Sequence, residues 1–86
     1  MLVTYSLTLN YKAYKQLKAL PLKSQQRYSK AFDLLPNFGA KYPSLRTHRY
    51  YQNGKVIWSS SASMALRFYW DYTALRSIEV IGLDSH

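Results

Sequence analysis

From residue 2 to residue 9 apolar and polar side chains alternate. Val3, Tyr5, Leu7 and Leu9 fall on one side, and Thr4, Ser6 and Thr8 on the other. A period of two with β-branched and aromatic residues predicts a half-buried strand. Asn10 stands where it can cap a helix over residues 11–20 that ends before Pro21. Tyr11, Tyr14 and Leu17 recur at spacing three, beside a second stripe of Lys12, Lys15 and Lys18. A second helix is expected from Ser24 to about Leu35. Tyr28, Ala31, Phe32 and Leu35 sit at core-facing spacing, and Pro36 closes the helix. Asn37, Phe38, Gly39 and Pro43 then mark a loop.

From Leu45 the pattern becomes β. One strand is expected over residues 46–51, turning at Gln52-Asn53-Gly54, because Asn-Gly is a strong hairpin signal. Residues 55–61 form the next strand, and a tight turn near Ala62-Ser63 leads into residues 64–71. There Met64, Leu66, Phe68 and Trp70 share one face, with Ala65, Arg67 and Tyr69 on the other. Ile78 to Ile81 reads as a closing strand before Gly82. The order β-α-α-β-β-β-β predicts an α+β fold, two helices packed on one face of a small, mainly antiparallel sheet. At 86 residues, the chain is expected to form one domain, 1–86.

Composition narrows the partners. The net charge is +8, and ten of the twelve Lys and Arg lie in residues 1–55, where Asp33 is the one acidic residue. Beyond them Arg67 and Arg76 face Asp71, Glu79 and Asp84. The positive field therefore belongs to the helices and the strand around Arg46 to Lys55, which favours polyanions as partners. The absence of Cys fits a reducing cytosol, so a cytoplasmic protein is expected. The opening MLVTYSLTLN lacks the pattern of a signal peptide, and no apolar run approaches the roughly 18 residues of a membrane span. Two His and scattered carboxylates offer no metal site, and no cofactor is expected.

The stretch from Leu45 to Trp70 carries the chemistry. Arg46, Arg49 and Lys55 supply cations for an RNA backbone, while Tyr50 and Tyr69 can stack unpaired bases. His48 is one of two side chains that ordinarily titrate near neutrality; His86 is the other. Single-stranded RNA is the ligand this combination suits.

Leu45-Arg46-Thr47-His48-Arg49, Trp58-Ser59 with Arg67 nine residues after the Trp, and Ile81-Gly82 with a His close behind resemble the RelE-like toxins of the RelE/ParE superfamily. The resemblance implies the toxin of a type II toxin–antitoxin pair. Such toxins act on the ribosome as metal-independent endoribonucleases, cutting mRNA by attack of the ribose 2′-OH, and are silenced by an antitoxin. It implies Arg67 as the stabiliser of phosphate charge and His86 as a proton-carrying group; His48, whose neighbours Arg46 and Arg49 favour a neutral, base-capable form, is the second candidate for that role. The antitoxin is expected to be acidic, given the positive field. Two of the chain's departures from the family fall on residues of the expected site. Some members carry an Arg three residues after the Trp, where this chain has Ser61, and the family His commonly follows the Gly by two residues, where His86 follows Gly82 by four. If Ser61 projects into the same cleft as Arg67, an Arg there is expected to raise activity. The superfamily also holds toxins that bind DNA gyrase without cutting RNA, a reading that Ser61 fits, and a plain RNA-binding module remains a third class.

Overall fold

The computed structural model describes residues 4–85. Leu2, Val3 and the candidate His86 lie outside the described residues. The expected order of elements is present, with one short 3-10 turn added between the helices and the hairpins.

Strand β1 spans Ser6–Leu9. Its inward residues Leu7 and Leu9, together with Tyr5, pack against the core, so the alternation marks the buried side correctly. Asn10 caps α1 (Tyr11–Lys18), its side chain accepting the Ala13 N–H at 2.8 Å. That contact satisfies a backbone donor the first turn would otherwise leave open. Ala13 is the buried residue of α1, whereas Tyr11 and Tyr14 are exposed with Lys15 and Lys18 over their rings.

Helix α2 runs Leu22–Phe38, longer at both ends than its pattern suggests. It starts two residues before Ser24 because Pro21 and Leu22 can open a helix without the missing proline N–H being needed. It also continues past Pro36. Proline removes one helical bond, but the Gly39 N–H reaches the Leu35 carbonyl at 2.9 Å, and Pro36 is buried with its own carbonyl accepting from Tyr5. Gly39, with φ of +89°, is the true stop. Tyr28, Ala31 and Leu35 are buried, and Phe32 packs edge-on against Phe68.

The sheet has the order β1-β5-β4-β3-β2, with β2 His48–Gln52, β3 Lys55–Ser61, β4 Leu66–Ala74 and β5 Ser77–Ser85. Among the described residues β1 pairs parallel with β5, and the other pairings are antiparallel. Strand β4 starts at Leu66 rather than Met64. The turn closes through Ala62 N–H to the Leu66 carbonyl, which leaves Met64 95% exposed instead of on the core face. Strand β5 extends well beyond Ile81. A register shift opposite Tyr69 and Trp70 absorbs Ile81 as a bulge, so Gly82 continues the strand and Leu83 returns to the core face opposite Phe68.

Two layers result. The helices cover Leu66, Phe68, Trp70, Ile78 and Val80, which with Tyr28 and Leu35 make the core. The polar atom inside it is satisfied: Ser60 Oγ accepts from Trp70 Nε1 at 2.9 Å and pairs with Thr47 Oγ1 at 2.6 Å. The opposite face of β2, β3 and β4 is open among the described residues except at one side, where Lys12 and Gln16 of α1 line a hollow with Tyr50, Gln52 and Tyr69.

Candidate nucleic-acid interface

Asn53 and Gly54 take φ of +51° and +76°, the paired left-handed conformations that match a two-residue hairpin to strand twist. The hairpin sets His48 opposite Ser59 and Tyr50 opposite Ile57. The next pairing sets Ser59 opposite Tyr69 and Ser61 opposite Arg67. His48, Tyr50, Ser59, Ser61, Arg67 and Tyr69 therefore share the open face.

Arg67 is held there by its neighbours. Its Nε and Nη2 donate to Ser59 Oγ at 3.0 and 2.7 Å, and its Nη1 donates to Ser61 Oγ at 2.7 Å. Nη2 also lies 3.4 Å from both ring nitrogens of His48. These contacts fix the guanidinium plane and leave an N–H of Nη1 for a ligand, since each terminal nitrogen carries two. The two hydroxyls are almost wholly buried. They serve as acceptors that hold a cation without neutralising it.

A second guanidinium comes from outside the strands. The 3-10 turn Pro43–Leu45 ends at Arg46, which is left-handed at φ +46°, so Arg46 precedes β2 rather than opening it. That backbone turn brings Arg46 to a hollow of about 340 Å³ that it lines together with Ser61 and Arg67. The Arg46 carbonyl also meets His48 Nδ1 at 3.2 Å. None of the residues around this hollow is acidic.

Next to Arg67 the face turns aromatic. The Tyr50 and Tyr69 rings lie 4.7 Å apart, and the Tyr69 hydroxyl donates to Asp84 Oδ2 at 3.1 Å. Burial, followed by this hydrogen bond and the charge of Asp84, raises the Tyr69 pKa above 10.0, so Tyr69 is a neutral donor at physiological pH. Tyr28 supports the site from the helix side. Its hydroxyl reaches the carbonyl of Arg67 at 2.8 Å and that of Asp84 at 3.3 Å, two residues paired across β4 and β5. Burial, and then the Asp84 carboxylate, push the Tyr28 hydroxyl from 10.0 up to about 12.

The candidates read from sequence thus divide. Arg67, His48, Tyr50 and Tyr69 come together, with Arg46 at the rim. Lys55 shares the face but lies at its far end, ion-paired with Asp71 at 3.5 Å. Arg49 stands opposite Trp58 in the register and so points to the helix side of the sheet. Ser61 does project beside Arg67, but it is 8% exposed and already bonded to it, so an Arg there would displace Arg67 rather than assist it. Sequence reasoning passed over Ser59 as an anchor and Asp84 as a partner of Tyr69. Their positions in the register were the available signal, once the strand pairing is known. Among the described residues no cluster of three His, Cys, Asp or Glu could hold a metal, and no helix is long and apolar enough to cross a membrane.

By sequence, no protein-family model and no curated protein matches the chain. By structure it is similar to the archaeal RelE–RelB complex of Pyrococcus horikoshii OT3, with a TM-score of 0.77 at 15% identity over 95% of this chain and 94% of that one. YafQ from E. coli strain BL21(DE3) matches with a TM-score of 0.75 at 10% identity, covering 95% and 93%. The YoeB–YefM complex from Staphylococcus aureus matches with a TM-score of 0.74 at 13% identity, covering 95% and 97%. The shared property is the fold.

Proposed function

We propose that this chain, which has the fold of the RelE-like toxins, is the toxin of a toxin–antitoxin pair and cuts mRNA on the ribosome. The observation that carries the reading is Arg67, anchored by Ser59 and Ser61 with His48 against it and Arg46 across the same hollow. In the proposed reaction the 2′-OH gives up its proton, O2′ bonds to phosphorus, and the bond from phosphorus to O5′ breaks. A cyclic phosphate and a 5′-hydroxyl result. Arg67 and Arg46 hold the phosphoryl oxygens as negative charge grows on them, which requires cations already in place. His48 carries the proton, and Tyr50 and Tyr69 stack the bases that flank the cut. The uneven positive charge calls for an acidic antitoxin, and the presence of RelB and YefM in the similar complexes supports an antitoxin partner.

Single-turnover cleavage on programmed ribosomes tests the reading. Arg67→Ala should cut about 10²–10³-fold more slowly than the parent, the usual cost of one preorganised donor. Equal rates would remove Arg67 from the chemistry.

A second reading rests on Asp84, whose carboxylate meets Tyr69 on the RNA-facing side, where a phosphate strand would meet repulsion. It makes the chain a non-catalytic member that binds a protein target such as gyrase. Growth arrest with DNA damage and intact messages would decide for it.

A further inference from the structure

The helix layer does not cover its whole side of the sheet. Near β3 a hollow of about 500 Å³ opens between the sheet and the segment after α2. Trp58 and Tyr72 floor it, and Tyr42, Lys41 and Arg46 stand around it. Trp58 stacks on the buried Trp70 at 6.1 Å with 26° between the rings, and Tyr72 meets Trp70 edge-on at 5.1 Å. The floor is therefore flat, aromatic and braced from beneath. Arg49 stands opposite Trp58 in the register and adds a third cation to this side. None of the lining residues is acidic.

An aromatic floor with a cationic rim suits a planar ring tethered to an anion. A nucleotide has both parts, and one observation favours it over an acidic peptide: Arg46 lines this hollow and the Arg67 hollow alike. Trp58 and Arg67 lie on opposite faces of the sheet, and Arg46 is the residue common to both hollows, so a strand held between Arg46 and Arg67 has a path round the Arg46 turn to the Trp58 side. We propose that the Trp58–Tyr72 hollow takes one unpaired base of that same RNA strand, outside the bases flanking the cut, and so adds sequence preference. This rests on the ribonuclease reading for the cut, but the base site can be measured without cleavage.

Tryptophan emission reads it directly. The chain has two Trp, and Trp70 is fully buried, so an external ligand quenches Trp58. The full chain is titrated with a short 2′-O-methyl oligoadenylate, which lacks the attacking hydroxyl, and with an abasic backbone of equal length. The oligoadenylate should quench, and the abasic strand should leave Trp58 emission unchanged and bind at least about tenfold more weakly, a loss to which the Tyr50 and Tyr69 stacks also contribute. Lys41→Glu, an exposed change with no core contact, and Tyr72→Leu should each weaken quenching about fivefold or more. Equal binding of the two strands, or affinity unchanged in both rim and floor variants, would overturn the base site. So would quenching by an acidic peptide where the oligoadenylate gives none, which would make the hollow a protein-docking surface. Cleavage by the parent without quenching sinks the base site alone. Base-dependent quenching with no cleavage by the parent supports the base site and sinks the ribonuclease.

Discussion

Alternate residues of β4 belong to two different kinds of matter. Leu66, Phe68 and Trp70 face the helices and are buried among apolar side chains, while Arg67 and Tyr69 face outward into a network of hydroxyls. Both faces of β3 are buried as well, yet for opposite ends: Ser60 satisfies Trp70 inside the core, and Ser59 and Ser61 hold a guanidinium at the surface. Burial on one side of the strand supplies stability, and burial on the other supplies position. The two can be separated by substitutions only one residue apart.

Phe68→Ala should have the largest effect. It empties the centre of the core, where Phe32 and Tyr28 meet Phe68, and should cost about 3–5 kcal/mol of stability. Chemical denaturation of this variant beside Arg67→Ala gives the contrast, because the Arg variant loses only its bonds to Ser59 and Ser61 and should cost no more than about 2 kcal/mol. Comparable losses in both would mean that Arg67 is structural.

Tyr28 joins the two sides, and alkaline titration measures that link. The unfolded chain releases the Tyr28 proton near pH 10, whereas the folded chain keeps it to about 12. Its stabilisation is thus complete below pH 10 and is lost as pH rises from 10 to 12, on the order of 2 kcal/mol. Tyr69 and Tyr72, also raised, contribute with the same sign. Denaturation midpoints followed across this range should fall less steeply in Tyr28→Phe than in the parent. Parallel curves would show that Tyr28 is not the group responsible.

Ser59→Ala should be the mildest in stability, about 1 kcal/mol, and selective in effect. It removes the acceptor for Nε and Nη2 of Arg67 while leaving the charge in place. Cleavage should fall by about tenfold, a smaller loss than that from Arg67→Ala, the signature of a positioning residue. A rate equal to that of the parent would mean that the hydroxyl does not orient Arg67.

Much of the fold can be read from local pattern. Period two along residues 66–70 puts Phe68 and Trp70 on one face and Arg67 and Tyr69 on the other, as found. Asn53-Gly54 marks the hairpin because its backbone demands are local. Helix spacing finds Tyr28, Ala31 and Leu35 in the core. What escapes local reading depends on distant partners. Pro36 looks like a stop until the Gly39 and Tyr5 backbone contacts are known. Parallel pairing of β1 with β5 joins segments about 70 residues apart in the chain, so nothing near either strand announces it. The site suffers most from this. Arg67 stands out by its charge, but Ser61 resembles an omission in the sequence and becomes an anchor only when β3 lies beside β4. Arg46 and Arg49 look equivalent as cations, yet one left-handed residue before β2 leaves Arg46 at the Arg67 hollow and Arg49 on the other side of the sheet.

The anchoring of Arg67 also has an entropic consequence. A free arginine side chain gives up about 2 kcal/mol of rotamer freedom when it is fixed. Ser59 and Ser61 exact that loss during folding, so a phosphate arriving at Arg67 meets a group with little left to lose. Arg46 is exposed and must be immobilised by the ligand itself. Two chemically identical guanidinium groups in one hollow therefore contribute unequally to binding, and the difference lies in the disorder each retains beforehand.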